Sequence, residues 1–199
     1  MLFTRLAVLS FAAGTFAAPI APIAPNVEAA ASQSIYEVAT NRVTYEVEQL
    51  NVKLDAIILA RPEQRNAAAA AIKEQVGHVL HAEADGANSM RGAKPATVLE
   101  ASTLGLLPVN QLTTATMASA GKWTRIKDIV YQMGGQQKVV EMLTQMKTAG
   151  MQFSAEMNHQ MPYGTQTVGK AYGDAVDRTM TTLIREYSQP PRHPSAGWL

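Results

Sequence analysis

Residues 136–161, QQKVVEMLTQMKTAGMQFSAEMNHQM, decide the fold. Val139, Met142, Leu143, Met146, Gly150, Phe153, Met157 and Met161 recur at steps of three and four. At 3.6 residues per turn they fall within about 100° of a helix circumference, with Lys, Thr, Glu and Gln opposite. A strand would need alternation with a period of two, and none appears here. Gly134-Gly135 precedes the stretch and Pro162 follows it, so both ends carry a helix-breaking signal.

The same period continues in both directions. After Pro162, Val168, Tyr172, Val176, Met180, Leu183 and Tyr187 define a final helix. Upstream, Ile35, Ala39, Val43, Val47, Leu50, Leu54 and Ile57 define a long first helix, read here as Ala29 to Ala60. Arg61-Pro62 ends it, because the residue before proline is pushed out of the α region, and Pro62 can open the next helix. Ala68, Ile72, Val76 and Val79 form the inner face of that second helix, with a loop expected over residues 86–92 between two glycines. A third helical stretch is expected from near Pro95. It breaks around Gly105 to Pro108 and resumes through Leu112 and Met117. Beyond Gly121 a short helix carries Trp123, Ile126, Ile129 and Val130. The expected class is all-α, a single bundle of five to six amphipathic helices over residues 28–187.

The two ends differ from this body. Arg5 followed by the apolar run Leu6 to Phe16 reads as a secretory leader, with Thr15 and Ala17 as the small residues before a cut after position 17. Three prolines in residues 18–25 force an extended linker over residues 18–27. Residues 188–199 hold three more prolines and are expected to be a disordered tail. No other segment has the ~18 consecutive apolar residues of a membrane span. The chain ends without an apolar tail for a lipid anchor. The expected location is therefore extracellular, free or in a cell wall.

Composition narrows the function. Apolar residues make up 47% of the 199-residue chain and charged residues 17%, which suits a folded domain. Without the leader, sixteen bases face sixteen acids. A neutral balance argues against nucleic acid, which needs a basic footprint. There is no Cys, so no thiol nucleophile and no disulfide, and the core alone must stabilise the domain.

Motifs for catalysis or metals fall short of their physical requirements. The segment from Gly164 to Ala171 nearly spells a phosphate-binding loop, but a helix precedes it and Ala171 stands where a hydroxyl should hold Mg²⁺. Glu74, His78 and His81 share one polar helix face. Glu156 and His159 form a single Glu-x-x-His, where a di-iron bundle needs two copies and two further carboxylates. No Gly-x-Ser-x-Gly elbow occurs. The reading is no enzyme, no cofactor and no metal.

Two apolar features remain. Eight of ten methionines lie from Met117 onward. Methionine is unbranched and polarisable, so it either fills an irregular core or lines a surface that adapts to apolar partners. In the second case the candidate ligand-binding residues are Val139, Leu143, Met146, Phe153, Met157, Tyr172, Val176 and Met180. On the first helix, Val38, Tyr45, Val52 and Leu59 recur every seven residues on a second side. That side is either sandwiched in the bundle or an exposed ridge for a partner, a lipid, a solid surface or a second copy.

The chain resembles the fungal hydrophobic surface-binding proteins, also described as cell-wall galactomannoproteins. The shared pattern is a leader, no Cys, a long first helix through Ile58, Lys122-Trp123 before an apolar turn and Gly134, Val139-Val140-x-Met142-Leu143 with Phe153 and Pro162, and a close on Leu183-Ile184 and Tyr187. The resemblance covers about residues 30–187. It implies a non-enzymatic helical bundle that binds hydrophobic surfaces or lipids, some members holding an acyl chain between helices. It supplies no catalytic residues. This chain differs in its methionine content and in lacking a Ser/Thr-rich stalk.

Overall fold

Five long α-helices and one short one account for nearly all of the polypeptide that the computed structural model describes, residues 33–189. The expected leader and linker, and all but the start of the expected tail, lie outside those residues.

Helix α1 is Ile35–Leu59. It starts later than residue 29 because Ser34 caps it: the Ser34 hydroxyl accepts from the Glu37 N–H, and the Glu37 carboxylate accepts in return from the Ser34 N–H. Such a box satisfies two of the N–H groups that a helix start leaves open. Pro62–Gln64 forms one 3₁₀ turn and α2 follows as Arg65–Arg91. Thr97 and Glu100 repeat the capping box ahead of the short α3, Val98–Leu106. Helix α4 is Pro108–Gln132, α5 is Gln136–Gln160 and α6 is Thr167–Ser188. No strand occurs among the described residues.

Two expected breaks are absent. Residues 86–92 are not a loop, since α2 runs through Gly86 to Arg91. Gly86 serves packing instead. A Cβ there would stand 2.6 Å from Cε2 of Phe153 and 3.3 Å from Cβ of Ala39, so the missing side chain lets α5 and α1 close on α2. Gly121 does not separate two helices either. It sits on the exposed side of an unbroken α4, with nothing within 4 Å of where a Cβ would be. An isolated helical glycine costs about 1 kcal/mol relative to alanine, which the burial of Leu112, Ser119, Trp123 and Ile126 on the opposite side outweighs. The real break is at Gly134, whose φ of 65° is left-handed and favours glycine.

The helices close into a ring. α1 packs on α2 and α4, α2 packs on α5, α5 on α6, and α6 on α4, while α3 lies outside against α4 and α6. Stripes read from the sequence point inward: Val43, Leu50 and Leu54 of α1, Val76 and Val79 of α2, Leu143 and Phe153 of α5, and Tyr172 and Leu183 of α6 are all buried. Helices α5 and α6 approach closely where Gly173 faces Ser154, whose hydroxyl donates to the Gly169 carbonyl at 2.8 Å.

Candidate functional site

A cleft of about 540 Å³ lies at one end of the ring. It opens where α4 and α5 diverge from their turn. Ile72 and Lys73 of α2, Trp123 and Ile126 of α4, and Val139 and Met142 of α5 form its walls, and Met133 to Gly135 its floor. Its volume falls in the range of small-molecule sites, about 300–1,000 Å³. Lys73, Lys138 and Glu141 are its charged lining residues, all exposed. Trp123 is 1% exposed, and its indole N–H has no partner. Its backbone carbonyl accepts from the Tyr187 hydroxyl at 2.7 Å.

The middle of the ring is almost filled. A space of about 10 Å³ remains there, lined by Val47, Val79, Met146, Val176 and Met180 together with Glu83, Thr116, Ser119 and Tyr172. Glu83 is the unusual member, a carboxyl 3% exposed at the centre of an apolar core. The Tyr172 hydroxyl donates to its Oε1 at 3.1 Å, and Gly150 makes room for it, since a Cβ there would lie 3.1 Å from the same oxygen. Oε2 has no partner. Burial pushes the Glu83 pKa up to about 8, against the lowering effect of the Tyr172 hydrogen bond, so the group carries a proton at neutral pH. A buried polar atom without a partner costs about 1–3 kcal/mol. The adjacent hydroxyls donate elsewhere, Ser119 to Oδ1 of Asn51 at 2.7 Å and Thr116 to the Leu112 carbonyl at 2.9 Å, and neither is placed to bond Oε2.

The eight expected ligand-binding residues are all buried. Val139 lines the end cleft, and Met146, Tyr172, Val176 and Met180 line the central space. Leu143 lies on α5 between the two spaces, while Phe153 and Met157 line neither. The Phe153 ring meets the Tyr172 ring edge-on, with centroids 6.1 Å apart, and fills volume that an open cavity would need. Sequence reasoning missed Lys73, Trp123 and Met142 as cleft residues, because the cleft arises from helix divergence and no single helix encodes it. It also missed Glu83, although a signal existed: Ile72, Val76, Val79 and Glu83 share one helical stripe.

On the outer side of α1, Val38, Tyr45, Val52 and Leu59 are 49%, 57%, 57% and 83% exposed. They are not sandwiched. The histidines of α2 face acids, His78 within 3.9 Å of Glu46 and His81 within 3.2 Å of Asp85. Glu156 pairs with Arg91 across to α2. Lys170 of the loop-like segment pairs with Asp174 one turn on. Among the described residues no group of three or more His, Asp or Glu is placed to hold a metal, and no helix is long and apolar enough to cross a membrane.

Comparison with solved structures finds the same fold in fungal ligand-binding domains. Ligand binding domain 1 of the Penicillium marneffei MP1 protein, complexed with arachidonic acids, superposes with a TM-score of 0.69 at 17% identity, over 78% of this chain and 98% of that one. Domain 2 of the same protein, complexed with multiple arachidonic acids, gives 0.68 at 17% identity over 78% and 96%. AFMP4P in complex with palmitic acid gives 0.70 at 9% identity over 77% and 97%. No family model and no curated protein sequence matches the chain.

Proposed function

We propose that this chain is a secreted, non-enzymatic binder of long-chain fatty acids, of the kind the fungal hydrophobic surface-binding proteins represent. The observation that carries the reading is the conjunction of an apolar end cleft of about 540 Å³ with a fold shared, over nearly the whole of each neighbour, by domains crystallised with arachidonic or palmitic acid. In this reading the carboxylate rests at the cleft mouth, where Lys73 and Lys138 supply positive charge and solvent keeps the head group hydrated. The acyl chain passes between Trp123, Ile126, Val139 and Met142. It then continues past Leu143 toward Met146 and Met180, whose unbranched side chains can swing aside. Of the residues that the sequence marks as ligand-binding, Leu143, Met146 and Met180 form the inner half of the path in this reading, and Phe153 and Met157 lie outside it. Nothing in this function requires a nucleophile, a cofactor or a metal.

The test is calorimetric titration of the delipidated mature protein with hexadecanoic acid, in wild type and in Ile126→Asp and Met142→Asp. A charge in the apolar wall should abolish saturable binding. Unchanged affinity in a variant that keeps its helical circular dichroism refutes the cleft.

A second reading rests on the exposed ridge of α1. The ridge would adsorb to a hydrophobic surface or join two copies of the chain, with no small-molecule site involved. Sedimentation at high concentration, with Tyr45→Lys and Val52→Lys as controls, separates them: a monomer that still coats a hydrophobic surface leaves only adsorption.

A further inference from the structure

One oxygen of the buried Glu83 carboxyl has no hydrogen-bond partner. Oε1 meets the Tyr172 hydroxyl at 3.1 Å, and Oε2 is the atom without a partner. The residues around the central space offer no cation and no hydrogen-bonding group placed to meet Oε2. A saturated alkyl chain entering the space would leave Oε2 unmet. An oxygen carried on the chain would meet it.

The position of that oxygen follows from helix geometry. Lys73 at the cleft mouth and Glu83 at the centre are ten residues apart on α2. A rise of 1.5 Å per residue separates them by about 15 Å. Carbon–carbon bonds of about 1.5 Å advance an extended chain by roughly 1.25 Å each, so the span corresponds to about twelve carbons beyond the carboxylate.

We propose that the site is built for a hydroxylated long-chain fatty acid, its carboxylate at Lys73 and Lys138 and a hydroxyl group in its distal half hydrogen-bonded to Oε2 of Glu83. This rests on the fatty-acid reading above and adds the selectivity. Glu83 then explains itself: a carboxyl kept neutral by burial is a hydrogen-bond donor that brings no charge into the core.

The experiment titrates the delipidated mature protein with octadecanoic, 3-hydroxyoctadecanoic and 12-hydroxyoctadecanoic acids. Wild type should bind the 12-hydroxy acid about tenfold more tightly than the other two. Glu83→Leu should lose that preference while retaining octadecanoic acid, and Glu83→Gln, which keeps an N–H donor in place, should preserve most of it. Equal affinity of wild type for all three acids overturns the proposal and leaves the fatty-acid function standing. An equal gain for the 3-hydroxy acid overturns it too, because that oxygen stays near the cleft mouth. If no acid binds, the fatty-acid reading itself is wrong. The wild-type comparison decides the matter even where Glu83→Leu fails to fold.

Discussion

Glu83→Gln tests the electrostatics of the core without any ligand. The wild-type carboxyl has a pKa of 4.5 in the free chain and about 8 in the folded protein. Below the lower value both states hold the proton, and its contribution to stability is complete. As pH rises from the lower value to the upper, the unfolded chain releases the proton while the folded chain retains it. The free energy of unfolding therefore falls by about 1.4 kcal/mol per pH unit and levels off above the folded value. Integrated over the window, the loss is about 5 kcal/mol, of which about 3 to 4 kcal/mol falls between pH 5 and pH 8. Glutamine has nearly the same shape, still accepts from Tyr172, and does not titrate. Urea unfolding followed by far-ultraviolet circular dichroism, on delipidated wild type and variant across that range, isolates the difference, since the other titrating groups are common to both chains. Wild type should lose about 3 kcal/mol relative to the variant as pH rises. Parallel profiles would refute the buried, protonated state of Glu83.

Other perturbations read the packing and the cleft. Gly86→Ala places a Cβ 2.6 Å from the Phe153 ring, so despite better helix propensity it should cost about 1–2 kcal/mol in chemical unfolding. Gly121→Ala, in open space on α4, should instead gain about 0.5–1 kcal/mol; equal shifts in the two would show that Gly86 is not a packing position. Reversing both charges at the cleft mouth, Lys73→Glu with Lys138→Glu, should weaken hexadecanoate binding about tenfold in low salt while leaving its methyl ester unaffected, measured by competition against a fluorescent acyl probe.

The sequence carried most of the architecture because each helix is amphipathic with its own period and is bounded by its own signals. Pro62, Pro108, Gly134 and Pro162 all fall at or next to helix ends. Glycines were ambiguous in a specific way. Gly134 is a left-handed turn, whereas Gly86 and Gly121 are helical, and the residue type alone does not separate a turn from a close helix contact. The site was less legible. Buried positions such as Met146, Tyr172 and Val176 follow from periodicity, but whether a stripe packs solid or borders a space depends on its neighbours. Here Phe153 fills the middle of the ring against Gly86 and Tyr172. The open volume appears instead at the α4–α5 turn, where residues from four helices meet that are far apart in sequence. Glu83 was legible in principle, as a carboxylate on the otherwise apolar α2 stripe. Its missing partner exists only in the folded arrangement.

The cargo proposed for this chain is a long-chain fatty acid. The most direct measurement is native mass spectrometry of the mature protein secreted from a eukaryotic host, followed by organic extraction of what it holds. The expected result is added mass in whole numbers of long-chain fatty acids, lost on denaturation and restored when the acid is added back. A protein that emerges bare and takes up no added acid would contradict it and leave the outer ridge of α1 as the functional surface.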